Sequence, residues 1–243
     1  MSLLAIISDI HANIDALDAV MEDIDTRKVD GIICLGDVVG YGAAPAECVS
    51  IIRNRCETTI MGNHDQMTAV PGVLLASEHV AAGIRHARTS LSEDKLKWLA
   101  ALPYQVSAYG CSFVHASLAI PEEFAYLTND QEAKLHFDIQ QNDVSFMGHT
   151  HIPQVVFPIS ERFIWSDPTE EPFNVGDNVR CAINVGSVGQ PRDKDPSASY
   201  GLFETDARRF QLHRVHYDIK MAQKRIGAAG LPEENAKRLS EGN

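Results

Sequence analysis

Short apolar runs alternate with helical patterns through the first third of the chain. Leu3 to Ser8 is a nearly continuous run rich in isoleucine, as a strand buried on both faces requires. Asn13 follows as a helix cap, and Ile14, Leu17, Val20, Met21 and Ile24 then recur at the helical period. Gly31 opens a second run, Ile32-Ile33-Cys34-Leu35, that stops at Gly36-Asp37. Pro45 starts a second helix with Cys48, Ile51 and Ile52 inward, and Thr58 to Met61 reads as a third strand closed by Gly62. Units of this kind predict a parallel sheet with right-handed crossovers.

The pattern then changes twice. A helical middle is expected over roughly Val73 to Leu102, with Ser92 capping its second helix and Leu91 and Leu96 in staple positions. From Tyr104 the chain is strand-rich, with strands expected at Gln105–Tyr109, Ser112–His115, Val144–Met147, Gln154–Pro158, Cys181–Val185, Gly201–Glu204 and Phe210–Tyr217. Short turns after Tyr109 and Glu204 predict antiparallel neighbours there. The polar, acidic stretch from Ser160 to Asn178 reads as a surface excursion or a ragged hairpin, and the charged residues 231–243 as a frayed tail. No repeat or low-complexity segment is visible. One domain over residues 1–243, with two sheets, is the economical organisation, because the polar groups described below are spread over both halves.

Composition narrows the classes. With 243 residues, 44% hydrophobic and 22% charged, the chain is an ordinary globular one that can bury roughly 70–75% of its unfolded surface without a disulfide or metal. Its net charge of −12 repels long polyanions, which speaks against a sequence-independent nucleic-acid binder but leaves room for a small anion held by metal. The first apolar run stops at Asp9, too short for a signal-peptide core, and no stretch approaches ~18 apolar residues, so no membrane span is expected. Cys34, Cys48, Cys56, Cys111 and Cys181 are scattered and odd in number, as in a reduced cytoplasmic protein. A cytoplasmic location is therefore expected.

Polar residues recur where these strands end: Asp9-Ile10-His11, Gly36-Asp37, Gly62-Asn63-His64-Asp65, His115 and Gly148-His149-Thr150-His151. The carboxyl ends of strands border the ligand crevice in open α/β sheets. Imidazoles mixed with carboxylates suit zinc, iron or manganese rather than calcium or magnesium. Asp9, His11, Asp37, Asn63, His115, His149 and His151 are too many for one tetrahedral ion and suit two adjacent ions sharing a carboxylate. Taken singly, Gly-Asn-His-Asp could be a plain turn and His115 a satisfied core histidine; taken in order, each closing an apolar run, they point to metal.

These motifs, with Gly36-Asp37-Val38-Val39-Gly40-Tyr41-Gly42, resemble the calcineurin-like metallophosphoesterases over most of the chain, from Asp9 to about Tyr200. The resemblance implies a four-layer αββα sandwich, two mixed β-sheets flanked by helices, with a binuclear centre at the strand ends. By motif position one ion is held by Asp9, His11 and His151, the other by Asn63, His115 and His149, and Asp37 bridges them. His64 is then the non-ligand beside the leaving oxygen, a role that calls for a group of near-neutral pKa within hydrogen-bond reach. Asp65 is expected to fix the turn through backbone bonds.

Two departures narrow the class. Phosphoprotein phosphatases of this kind carry Gly-Asp-x-Val-Asp-Arg-Gly at the second motif, whereas Gly40 and Tyr41 stand here in place of the second Asp and the Arg, removing a carboxylate partner for His64 and a bidentate phosphate clamp. The sequence instead resembles the compact bacterial and archaeal branch, with Asn184-Val185-Gly186-Ser187-Val188-Gly189-Gln190-Pro191-Arg192 as a further motif. Arg192 can replace the lost clamp or pair with Asp193 or Asp195, and Tyr41 can stack on substrate. The expectation is a metal-dependent phosphoesterase acting on a small phosphoester through a metal-bridging hydroxide. A diester is favoured, possibly of nucleotide type, with two divalent ions, manganese first and iron or zinc otherwise, and a homodimer compatible with the family.

A non-catalytic scaffold is disfavoured because all ligand positions are filled, and a nuclease of the same fold by the net charge. The segments Val70–Ser77 and Ala119–Asp130 are expected to wall the pocket. His79 and His86 read as solvated or packed, His136 as exposed, His213 and His216 as structural, and Trp98 and Trp165 as packing.

Overall fold

Alternation along the first strand sets the layers. In β1 (Leu3–Ile7), Leu4 and Ile6 join one buried cluster while Ala5 and Ile7 join another on the opposite face, because successive strand side chains point to opposite sides. The computed structural model, which describes residues 2–72, 77–160 and 162–243, extends this alternation through two mixed six-stranded sheets. After β1 come α1 (Ile14–Arg27), β2 (Gly31–Cys34), α2 (Pro45–Arg55), β3 (Thr58–Thr59), α3 (Asn63–Ala69), α4 (Glu78–Ser90) and α5 (Glu93–Ala100). Then follow β4 (Gln105–Ala108), β5 (Cys111–Val114), α6 (Asp130–Ile139), β6 (Val144–Met147), β7 (Gln154–Ile159), β8 (Arg162–Ser166), β9 (Phe173–Asn174) and β10 (Cys181–Asn184). The chain closes with β11 (Ala198–Glu204), β12 (Arg209–Val215), α7 (Ile219–Ala228) and α8 (Glu233–Glu241).

One sheet has the order β3-β2-β1-β11-β12-β9, the other β4-β5-β6-β10-β7-β8. β1 pairs parallel with β2, Ile6 opposite Ile33, and antiparallel with β11, Ala5 opposite Leu202. Leu4, Ile6, Ile33, Phe113, Phe146, Ile183, Phe203 and Phe210 fill the space between the sheets. Leu17, Val20, Ile24, Cys48 and Ile52 of α1 and α2 cover the outer face of the first sheet, and Ala133 and Phe137 of α6 that of the second. Each such large side chain contributes ~1.5–3 kcal/mol on burial, so the expected αββα stacking is also where the hydrophobic stabilisation is concentrated. Asn13 and Ser92 cap their helices as expected, and the five cysteines are free. Among the described residues no helix is long and apolar enough to cross a membrane.

Several expectations are corrected. Gly62-Asn63-His64-Asp65 is no plain turn but the start of α3, and the third strand shrinks to Thr58–Thr59. The helical middle does hold two helices as expected, α4 and α5 with Ser92 capping the second, while Val73–Ala76, part of that expectation and of the expected pocket wall, lie outside the described residues. Of the two readings of the Ser160–Asn178 stretch the hairpin holds, since β8 pairs antiparallel with β7; the addition to it is β9, which pairs with β12 of the other sheet.

The tail is not frayed. Leu231 and Leu239 join Ala222 and Ile226 of α7 in a buried cluster, because the charged residues of α8 cover one side of an amphipathic helix whose other side is inward. Nor is His136 exposed: it is fully buried, on the α6 side that faces Ser145. Its Nε2–H donates to Ser145 Oγ (2.9 Å) and its Nδ1 accepts from Leu118 N (3.2 Å). His213 stacks on Tyr200 and His216 bonds Ser197, as structural residues do.

Candidate metal centre

The polar strand ends of both sheets meet in one place. Asp9 and His11 follow β1, Asp37 follows β2, Asn63 and His64 open α3, His115 follows β5, and His149 and His151 follow β6. Five of these residues hold the left-handed backbone that non-glycine residues avoid: Asp9, His11, Asp37, His149 and His151 have φ between 48° and 67°. Such strain persists only where surroundings over-determine it, and it clusters at working sites. It also explains the Asp-x-His and His-x-His spacing, since left-handed residues fold each strand end sharply back toward the cluster.

The surroundings are identifiable. Asp65 Oδ1 accepts from Val38 N (3.0 Å) and Val39 N (3.3 Å) and its Oδ2 from Gly62 N (3.1 Å), so it ties the second and third motifs together as expected. The Asn184–Arg192 motif ties the first to the last. Val188 N and Gly189 N donate to Ser8 O and Asp9 O (2.9 Å each), and Ser187 Oγ donates to Asp9 O (2.8 Å). Asn184 Nδ2 donates to Gly148 O (2.6 Å) and Thr150 Oγ1 (3.0 Å). The bracing roles of Asn184, Ser187 and Gly189 were not legible, because they act through backbone groups far away in sequence.

Three imidazoles are locked in one tautomer. The Nδ1 of His11, His115 and His151 lies 3.1, 2.8 and 2.5 Å from the carbonyls of Val39, Leu35 and Gln190. A carbonyl only accepts, so each Nδ1 carries a proton, and in its neutral form each ring turns an Nε2 lone pair inward. Those lone pairs converge on carboxylate oxygens. His151 Nε2 and His11 Nε2 lie 3.3 and 3.7 Å from Asp9 Oδ1, and His115 Nε2 and His11 Nε2 lie 3.5 and 3.6 Å from Asp37 Oδ2. Asn63 Oδ1 sits 3.3 Å from His115 Nε2. Among the described residues, buried Asp9 Oδ1, His149 Nε2 and His64 Nδ1 have no hydrogen-bond partner.

Lone pairs aimed at lone pairs, with buried acceptors left over, are a cluster lacking its positive charge, and its nitrogen and oxygen donors fit a borderline divalent metal. Two triads have the spacing of a metal site, Asp9–His11–His151 and Asp37–His115–His149, and a third grouping, His11–Asp37–His64, overlaps both. Two plausible metal-binding sites are therefore present.

Titration follows the same geometry. Burial works against the charge on Asp9, but His151 and His115 outweigh it and hold this carboxyl well below the usual range. Asp37 is lowered likewise against burial, chiefly by His115 and His64. Burial pushes His11 far down, His64 to about 4 and His149 to about 3. His115 alone rises, to about 9, because Asp37 and Asp9 overcome its burial; a proton on His115 Nε2 occupies the place of a cation. Asp65 is pushed up to about 7, by burial first and Asp37 second.

A cleft of about 110 Å³ opens onto the cluster, lined by Asp37, Asn63, His64, His149 and His151 together with Tyr41, Arg192, Tyr126, Met67 and Val80. Arg192 does not pair with Asp193 or Asp195, which turn to Arg214. Instead its Nη2 donates to Tyr41 Oη (3.3 Å) and Gln190 Oε1 (2.8 Å). Gly40 has a left-handed φ of 92°, and a Cβ there would lie 2.2 Å from His64 Nδ1, so the residue replacing the phosphatase aspartate lets His64 approach. His79 packs 6.2 Å from the Tyr41 ring and His86 bonds Ala43 O. Tyr126, half exposed and 4.2 Å from the His149 ring, was missed by name; only its segment, Ala119–Asp130, was expected in the wall.

Comparison with known proteins agrees with this geometry. The calcineurin-like phosphoesterase superfamily domain matches residues 1–208. A protein of Methanocaldococcus jannaschii, MJ0912, is 35% identical over 98% of this chain and 97% of its own length. The crystal structure of a metallophosphoesterase from Sphaerobacter thermophilus superposes with a TM-score of 0.90 at 37% identity, covering 100% of this chain and 99% of that one. The structure of PH1004 from Pyrococcus horikoshii shares the fold, with a TM-score of 0.82 at 21% identity, over 100% of this chain and 99% of that one. With its two metal triads at the joined ends of two mixed sheets, this chain belongs to the calcineurin-like phosphoesterase superfamily.

Proposed function

We propose that this metal-dependent phosphoesterase hydrolyses a small phosphoester, a diester in preference to a monoester. Asp9, His11 and His151 would hold one divalent cation, and Asn63, His115 and His149 the other, with Asp37 between them. Cations held there supply Lewis-acid polarisation of a phosphoryl oxygen and a water acidified enough to act as nucleophile near neutral pH. The observation carrying this reading is the set of carbonyl-locked imidazoles converging on a partnerless Asp9 oxygen. Manganese is the first candidate, ahead of iron or zinc.

The chain's own side chains do the rest. His64 stands on the cleft wall and is neutral at pH 7 through burial. An anionic phosphoester beside it raises its proton affinity again, so it serves the leaving oxygen as hydrogen-bond and proton donor. Arg192 orients the phosphoryl group, with Tyr41 against it. Arg192 is the single arginine or lysine among the described residues of the cleft; one guanidinium matches the single negative charge of a diester better than the double charge of a monoester.

The test is metal content of the purified protein together with turnover of bis-p-nitrophenyl phosphate and p-nitrophenyl phosphate with added manganese, iron or zinc. Two equivalents of metal and a higher kcat/KM for the diester are expected. A fully loaded protein that turns over neither ester sinks the reading, and a reversed preference sinks its diesterase part.

A further inference from the structure

Beyond residue 208, where the superfamily match ends, α7 and α8 reach back to the cleft. Asn235 of α8 is fully buried, and its Nδ2 donates to Tyr41 O (3.0 Å). Gly242 O accepts from Lys194 N (2.8 Å), two residues after Arg192. Ala43 packs against the cluster that Leu239 forms with Ala222, Ile226 and Leu231. One helix thus grips both loops that carry the cationic wall of the cleft.

The grip has a mechanical consequence. Tyr41 has a left-handed φ of 56° between two glycines, a backbone that does not hold its own orientation. A donor on its carbonyl fixes that peptide plane and with it the direction of the ring. The ring lies 4.6 Å from the His64 ring and 4.8 Å from the His11 ring, and the Arg192 guanidinium lies 5.8 Å from its centroid. Asparagine at an inward helix position, with Oδ1 buried and unpartnered, costs stability relative to an apolar residue. Its one hydrogen bond supplies what leucine cannot.

From this geometry we infer that the C-terminal helix pair is a clamp that orients the Tyr41–Arg192 pair over the metal cluster, with Asn235 as its positioning residue. The inference rests on the cleft being the phosphoester site. Asn235 is not among the residues lining that cleft and acts through Tyr41.

Asn235→Leu keeps the branching and number of heavy atoms and removes the bond. Its KM for bis-p-nitrophenyl phosphate should rise about fivefold, the size of one neutral hydrogen bond, with kcat and metal content unchanged. In an Arg192→Ala background the same substitution should add nothing further. An unchanged KM, or the same fivefold rise on top of Arg192→Ala, overturns the clamp.

A crystal structure of Asn235→Leu needs no turnover and keeps the two readings separable. Tyr41 Oη and Arg192 Nη2 should part; if they keep their contact, the clamp is wrong even where the enzyme is active. If the wild type turns over no phosphoester, the functional reading fails, and this structure still decides the clamp. Should Asn235→Leu not fold, Leu239→Ala loosens the same helix, and the Tyr41–Arg192 contact is read in that variant with the same two outcomes.

Discussion

His11 Nε2 and His151 Nε2 face each other at 3.1 Å, although in the neutral ring neither can donate while its Nδ1–H is committed to a carbonyl. Two lone pairs at that distance repel, and the fold holds them there through residues 140 positions apart. A cation held by Asp9, His11 and His151 would replace that repulsion with attraction.

Metal removal should therefore be felt as instability. At a free ion concentration one hundred times Kd, each cation stabilises by about 2.7 kcal/mol, worth roughly 5–10 °C in a chain this size. Chelation should lower the thermal midpoint by at least that amount, and readdition restore it. His151→Ala should bind one equivalent of metal instead of two, and its chelated form should melt no lower than chelated wild type, because the facing lone pair is gone. Calorimetry with metal analysis checks both halves.

Substitution of His64 should separate chemistry from metal binding. His64→Ala is expected to keep two equivalents of metal and lose about 10²–10⁴-fold in kcat on an ester with a poor leaving group. The deficit should shrink with p-nitrophenolate, which leaves without assistance. A uniform loss across leaving groups would falsify the assigned proton donation.

Gly40→Ala places a Cβ against His64 Nδ1 and forces alanine into φ 92°. A cost of roughly 1–3 kcal/mol is expected from the backbone alone, with turnover falling as His64 is displaced. Urea unfolding and kinetics on the same preparation report the two effects.

Acid should loosen the second sheet through His136. Burial, with a smaller opposing contribution from the Gln140 side chain, lowers this imidazole to about 4, below the ~6.5 of an unfolded chain. The unfolded state therefore binds the extra proton first. The stabilisation is complete above pH 6.5 and disappears as pH falls towards 4, a loss of about 3 kcal/mol. The geometry agrees, since Nδ1 already accepts from Leu118 N and has no room for a second hydrogen. In chelated protein, His136→Phe should flatten the difference in unfolding free energy between pH 7 and pH 4.5 relative to wild type.

Much of this molecule was legible before folding. Apolar runs such as Leu3–Ser8 and Val144–Met147 mark strands because burial on two faces leaves no polar option, and polar residues closing those runs mark the crevice. His136 and the tail escaped that reasoning, since a charged stretch looks alike whether its histidine faces water or a buried Ser145, and whether its Leu239 is free or packed on α7.

The sequence by itself determined which donors could meet a metal, because ligand chemistry belongs to residue types: carboxylate, amide and imidazole at Asp9, His11, Asp37, Asn63, His115, His149 and His151. Only the tertiary structure decided how they meet. Tautomers are set by carbonyls of Val39, Leu35 and Gln190, left-handed backbones by braces from Asp65 and Ser187, and the Tyr41 ring by Asn235 of the last helix. These are hydrogen bonds between groups far apart in the chain, and the spacing of residues along it carries no trace of them.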